Sequence, residues 1–197
     1  MRRERESAYY LATIMATLGL LLFGKAATAS EHLFQAMGMA KLPGKPATDF
    51  TLLNLEGQRV SLHDYRGKLI FLNFWATWCI PCREEMPAME QLHRTFQPQG
   101  LVILAVNLKE SPDKVKAFFD QYRLSYTTLL DESGSVFRDY QVMGLPTTYL
   151  ISRDGKLLGR GVGGRDWTRD EGKDLIRGLL SGAPAAPKPD LGVAGGN

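Results

Sequence analysis

Cysteine and histidine are what this chain has least of: Cys79 and Cys82 are its only cysteines in 197 residues, and its histidines are His32, His63 and His93. Two thiols this close cannot build a disulfide framework, because a bridge between near neighbours removes little chain entropy and staples nothing distant. A structural zinc site needs about four ligands, and no second Cys or His pair is present. A cysteine-protease arrangement needs a histidine base well downstream, and none follows His93, which falls on the same helix as Cys82. No cysteine flanks the apolar N-terminal segment, so lipid attachment there is excluded. Dense basic runs are also missing. The 24 Lys and Arg against 21 Asp and Glu leave a net charge of +3 spread along the chain, which argues against nucleic acid and for protein partners. There is no internal repeat.

What is present centres on Phe71-Leu72-Asn73-Phe74-Trp75-Ala76-Thr77-Trp78-Cys79-Ile80-Pro81-Cys82. The apolar, β-prone run reads as a fully buried strand, and Arg83-Glu84-Glu85-Met86 reads as helix, so the two cysteines sit at a strand-to-helix turn. Unpaired N–H groups and partial positive charge at the helix start stabilise a thiolate on Cys79 and lower its pKa. Cys82 follows one turn later on the same side. Spacing and context together point to a redox-active dithiol. Glu84 and Glu85 read as exposed first-turn acids, Trp75 as core, and Trp78 as part of a contact surface.

Around this centre the chain divides into four parts. In residues 1–29, Arg2, Arg3 and Arg5 precede an uncharged apolar run from Ala8 to Phe23. Ala27-Thr28-Ala29 offers a signal-peptide cleavage pattern, whereas the length of the apolar run and Tyr9-Tyr10 favour a retained membrane anchor, toward which the reading leans. Arginines before the run keep the N-terminus in the cytoplasm, so the dithiol faces outward, in a periplasmic or other extracytoplasmic space. There it must oxidise other proteins or be kept reduced by a partner. Residues 30–46, punctuated by Pro43-Gly44 and Pro46, read as a linker holding the rest off the membrane. Residues 47–180 suit one α/β domain with a mixed sheet. Its expected order is an edge hairpin at 50–62, the buried strand, the helix carrying Met86, Met89, Leu92 and Phe96, and a strand from Leu101. A helix opened by Ser111-Pro112, a strand at Thr127, a hairpin turning at Asp154-Gly155 and a closing helix follow. Residues 181–197, rich in Ala, Pro and Gly, read as a disordered tail.

Trp78-Cys79-Ile80-Pro81-Cys82 after Phe74-Trp75-Ala76, with Pro87 and Gly144-Leu145-Pro146-Thr147-Thr148 downstream, resembles the thioredoxin superfamily in its redoxin or AhpC/TSA form. More specifically it resembles the TlpA/ResA group of exported, often membrane-anchored reductases, over roughly Leu42 to Leu180. The resemblance implies a thioredoxin-like fold, a central mixed sheet flanked by helices with an N-terminal hairpin and a strand-helix insertion at about Leu101 to Tyr122. It implies that Cys79 attacks a target disulfide and Cys82 resolves the mixed disulfide. It implies a cis bond at Pro146, with Leu145 and Pro146 positioning an extended target strand. Thioredoxins proper carry a buried aspartate where this chain has Asn73. Glu110, which by spacing alone reads as a solvated loop carboxylate, matches the group's active-site glutamate; partial burial is expected to raise its pKa toward that of a proton shuttle.

Ile80 and Pro81 bring no charge and no side-chain donor to the thiolate, so its stabilisation is limited and the couple is expected to be reducing. The leading reading is a protein-disulfide reductase supplied by a membrane thiol donor, needing no cofactor and no metal. The resemblance adds apocytochrome c as a target. A copper(I) metallochaperone using Cys79 and Cys82, aided by Met143, is the alternative from another class. A thiol peroxidase of the peroxiredoxin type would need Thr or Ser where this chain has Ala76, and a non-catalytic binding module would have no need of an intact dithiol.

Overall fold

The computed structural model describes residues 30–182. Its elements are α1 (30–36), β1 (Ala40–Lys41), β2 (Thr51–Asn54), β3 (Arg59–Ser61), β4 (Leu69–Trp75), α2 (Ile80–Phe96), β5 (Leu101–Leu108), α3 (Pro112–Tyr122), β6 (Thr127–Asp131), α4 (Ser135–Asp139), β7 (Thr147–Ile151), β8 (Leu157–Val162) and α5 (Asp170–Ser181). The strands form one mixed sheet in the order β1-β8-β7-β4-β5-β6-β2-β3. Pairs β4–β5 and β5–β6 are parallel, each closed by a helical crossover, and the remaining pairs are antiparallel. This is the thioredoxin-like α/β fold.

Strand β4 places the site. Every one of its residues is buried, and alternation sends them to opposite faces. Leu69, Phe71 and Trp75 pack with Cys82, Met86 and Met89 of α2 and with Leu175 and Ile176 of α5. Ile70, Leu72 and Phe74 pack on the other side with Val136 and Phe137 of α4. Asn73, the one polar residue of the strand, therefore lies on the α2 face, beneath the helix that carries Cys82.

Residues 30–46 are not a linker. Phe34, Met37 and Met39 are core residues, and β1 extends the sheet through Ala40↔Arg160 and Lys41↔Gly159. Leu42 N–H donates to Leu158 O at 2.8 Å, so the chain stays hydrogen-bonded up to the prolines that suggested a linker. The reason is local and steric. Gly159 has no side chain, and the Phe34 ring fills its place: a Cβ there would stand 2.2 Å from Phe34 Cε1. The leader or anchor read in 1–29, and the tail read in 181–197 from residue 183 onward, lie outside the described residues. Among the described residues no helix is long and apolar enough to cross a membrane.

Candidate active site

Cys79 is the N-cap of α2 and Cys82 its third residue, joined here as a disulfide. Cys82 N–H points at Cys79 Sγ, 3.3 Å away. A thiolate on Cys79 would therefore meet an unpaired helix N–H and the positive end of the helix dipole. Pro81 costs the helix nothing, because a proline in the first turn lacks a donor that has no intrahelical partner anyway. Cys79 borders an open groove of about 510 Å³ with Trp78, Ile80, Met143 and Leu145, whereas Cys82 does not line it. Trp78 is 62% exposed and Met143 91%, large apolar side chains left facing solvent beside the reactive sulfur. The Leu145–Pro146 peptide is cis. Pro146 O is taken by Gly163 N–H at 2.8 Å, and among the described residues the backbone of Leu145 has no such partner. That leaves Leu145 free to pair with an extended segment lying in the groove.

Glu110 stands close to this turn, held by four donors. Its carboxylate accepts from Thr77 N–H at 2.7 Å, Thr77 Oγ1 at 2.6 Å, Asn107 Nδ2 at 2.8 Å and Lys114 Nζ at 2.6 Å. Burial by itself pushes the carboxyl up, but the bonds from Lys114, Thr77 and Asn107 outweigh it and hold Glu110 below the ordinary range. The direction is opposite to the raised pKa expected of a shuttle. Through these bonds Glu110 ties the loop leading to Cys79 onto the end of β5. Thr77, whose hydroxyl is spent on Glu110, is not available as the polar group a peroxidase would place beside its cysteine.

Glu85 corrects the sequence reading in the opposite sense. It is only 3% exposed, whereas Glu84 beside it faces solvent. Asn73 Nδ2 donates to Glu85 Oε1 at 2.8 Å and also approaches Thr148 Oγ1 at 3.0 Å, while Arg165 N–H donates to Glu85 Oε2 at 2.9 Å. Burial raises the carboxyl from 4.5 to about 7, more than these donors lower it. Glu85 lies one helical turn beyond Cys82 on the same face. The titratable carboxyl missing at Asn73 on the strand is supplied from the helix above and held by that same asparagine. A second acid of α2, Glu90, shows that burial alone does not do this: Ser125 and Arg94 donate to it and hold it below 4.5 despite burial. The overlooked signal was helical spacing, since Cys82, Glu85, Met89, Leu92 and Phe96 succeed one another at three and four residues. Beside Glu85 a cleft of about 310 Å³, bounded by Pro81, Glu84, Ala88 and Asp166, opens to solvent and shares only Pro81 with the Met143 groove.

A thioredoxin-like sheet with a helix-capping dithiol, a cis-proline opposite it and a titratable acid beneath it defines a thiol-disulfide oxidoreductase, and the relatives agree. Residues 43–159 match the AhpC/TSA family, to which the chain belongs. It is 42% identical over 115 residues to the thiol-disulfide oxidoreductase ResA of Bacillus thuringiensis subsp. konkukian, a match covering 58% of this chain and 66% of that one. It is 40% identical over 147 residues to ResA of Geobacillus thermodenitrificans, covering 75% and 80%. Among solved structures, a Chlorobium tepidum protein proposed to be the thiol:disulfide interchange protein DsbE superposes with a TM-score of 0.66 at 35% identity, over 72% of this chain and 99% of that one.

Proposed function

We propose that this protein is an extracytoplasmic protein-disulfide reductase, held at the membrane by its N-terminal segment and recharged by a membrane thiol donor. The observation that carries the dithiol chemistry is the buried carboxyl of Glu85, one turn from Cys82 and pushed up to about 7 by burial. The reducing direction rests on Ile80 and Pro81, which bring the Cys79 thiolate no charge and no side-chain donor. In the reduced protein the Cys79 thiolate attacks one sulfur of a target disulfide, and the other target sulfur leaves as a thiolate that takes a proton from water. Cys82 then gives its proton to the Glu85 carboxylate, and its thiolate attacks Cys79 Sγ. The mixed disulfide breaks, the second target sulfur leaves, and the protein holds the Cys79–Cys82 disulfide after passing two electrons to the target. Glu85 returns the proton to solvent through the cleft that it lines.

The apolar groove beside Cys79 suits targets whose cysteines lie in an extended, apolar-flanked segment. Haem-attachment cysteines of apocytochrome c, the target that the resemblance to the TlpA/ResA group implies, are the candidate we put forward. The reduction potential of the Cys79–Cys82 couple, measured against defined thiol buffers, tests the proposal. A value at or below roughly −270 mV supports a reductant. One near roughly −120 mV makes the protein an oxidant of other proteins and overturns it. Tight copper(I) binding by the reduced protein, lost in Cys82→Ser, would favour the metallochaperone reading instead.

A further inference from the structure

Arg165 sits in the loop between β8 and α5, and its guanidinium is directed entirely at backbone carbonyls. Nε donates to Met37 O at 2.7 Å, Nη1 to Gly163 O at 2.6 Å, and Nη2 to Gly38 O at 3.0 Å and Val162 O at 3.1 Å. Among the described residues it forms no direct ion pair. The seat is shaped for it: a Cβ on Gly161 would stand 2.4 Å from the guanidinium carbon. The same loop is pressed against the dithiol helix, since a Cβ on Gly164 would stand 2.9 Å from Pro81 O. From this seat the backbone N–H of Arg165 reaches Glu85 Oε2. A half-buried cation satisfied only by carbonyls keeps its charge uncompensated, and Glu85 is the carboxyl whose charge couples to it.

We propose that Arg165 is the positioning residue that sets the proton affinity of Glu85, and that the turn after α1, through Met37 O and Gly38 O, holds Arg165 in place to do so. The inference rests on Glu85 being the proton acceptor of the reaction. It makes the dithiol's proton relay depend on a segment remote in sequence, the same 30–39 stretch that follows the N-terminal apolar run. The other groups facing Glu85 begin with Trp167, before α5, whose neutral indole also lowers the carboxyl. Asn73 of β4 is a neutral donor. Tyr126, just before β6, is held neutral by burial. Glu84 and Asp166 line the solvent cleft, and on α2 itself Cys82 is tied up in the disulfide. Arg165 is the only cation in this set, so removing it withdraws both a charge and the anchoring of a donor.

The test is the titration of the Glu85 carboxyl in the oxidised full chain, followed by carbon-13 NMR in mild detergent and assigned by its disappearance in Glu85→Gln. Arg165→Met is expected to move the midpoint upward by about one pH unit or more. Arg165→Lys, which keeps the charge but lacks the planar fork that spans four carbonyls, is expected to move it less. Gly38→Ala, which strains a turn at φ 60 and touches no neighbour, is expected to move it in the same direction. Should Arg165→Met fail to fold, Arg165→Lys and Gly38→Ala decide. An unchanged midpoint in the folded variants overturns the inference while leaving Glu85 as acceptor. Absence of any resonance titrating near 7 that Glu85→Gln removes overturns the acceptor reading itself.

Discussion

At the scale of single residues, two buried glutamates near one dithiol have been driven to opposite protonation behaviour. Glu110 receives four donors, one of them a lysine, and its pKa is held down; Glu85 receives two neutral donors and is pushed up by burial. Counting donors therefore separates the group that anchors from the group that can move a proton. Replacing Glu110 with Ala strands the Thr77 N–H and the Asn107 amide, and is expected to cost about 2–3 kcal/mol in urea unfolding. The same variant is expected to leave unchanged the pH at which resolution of a mixed disulfide becomes fast, a midpoint that belongs to Glu85. Stopped-flow measurement of that step between about pH 5 and pH 9 checks it. Lys114 and Asn107 lie within four residues of Glu110, but Thr77, which supplies two of its four donors, stands 33 residues away and meets it only in three dimensions. Glu85 was legible: its position on the Cys82–Met89–Leu92 face was readable from spacing, and reading it as a first-turn acid let the helix dipole outrank the periodicity.

At the scale of elements, the sheet was legible wherever apolar runs were long and turns carried their own punctuation. β4, β5 and the β7–β8 hairpin with its turn at Gly155 (φ 77) stand where patterning put them. What misled was the stretch at 30–46, where Pro43, Gly44 and Pro46 read as linker while Leu33, Phe34 and Met37, though at helical spacing, lie in too short a stretch to announce a buried helix and turn. Their burial depends on a partner far along the chain, Gly159 of β8, and no local pattern encodes that. Gly159→Ala is expected to expel the Phe34 ring and cost about 1–3 kcal/mol. Combining it with Phe34→Leu is expected to recover part of that loss, so the two changes will not add. A double-mutant cycle by thermal unfolding gives the coupling.

At the scale of the whole molecule, the raised carboxyl at the centre ties stability to pH. Glu85 binds its proton more tightly folded than unfolded, so the folded state gains stability below about 4.5 and loses it as pH rises through about 7. The full swing is on the order of 3 kcal/mol. His93, whose pKa burial holds down, acts in the opposite direction, so the quantity to measure is the difference between the wild type and Glu85→Gln, both oxidised. That difference is expected to favour the wild type at acid pH and to shrink toward neutrality in denaturant titrations across the range. An enzyme that needs a protonatable acid beneath its sulfur thus works where that acid is least comfortable.

The pairing of β1 with β8 has one more consequence. The family match begins at residue 43, beyond both α1 and β1. A fragment cut there would strip Ala40 and Lys41 from Arg160 and Gly159 and leave a row of unsatisfied backbone groups along the outer rim of the sheet, beside the hollow vacated by Phe34. Such a rim is a template for another chain. Two truncated molecules brought rim to rim would complete each other's sheet, a contact that the short segment before residue 43 covers in the intact fold.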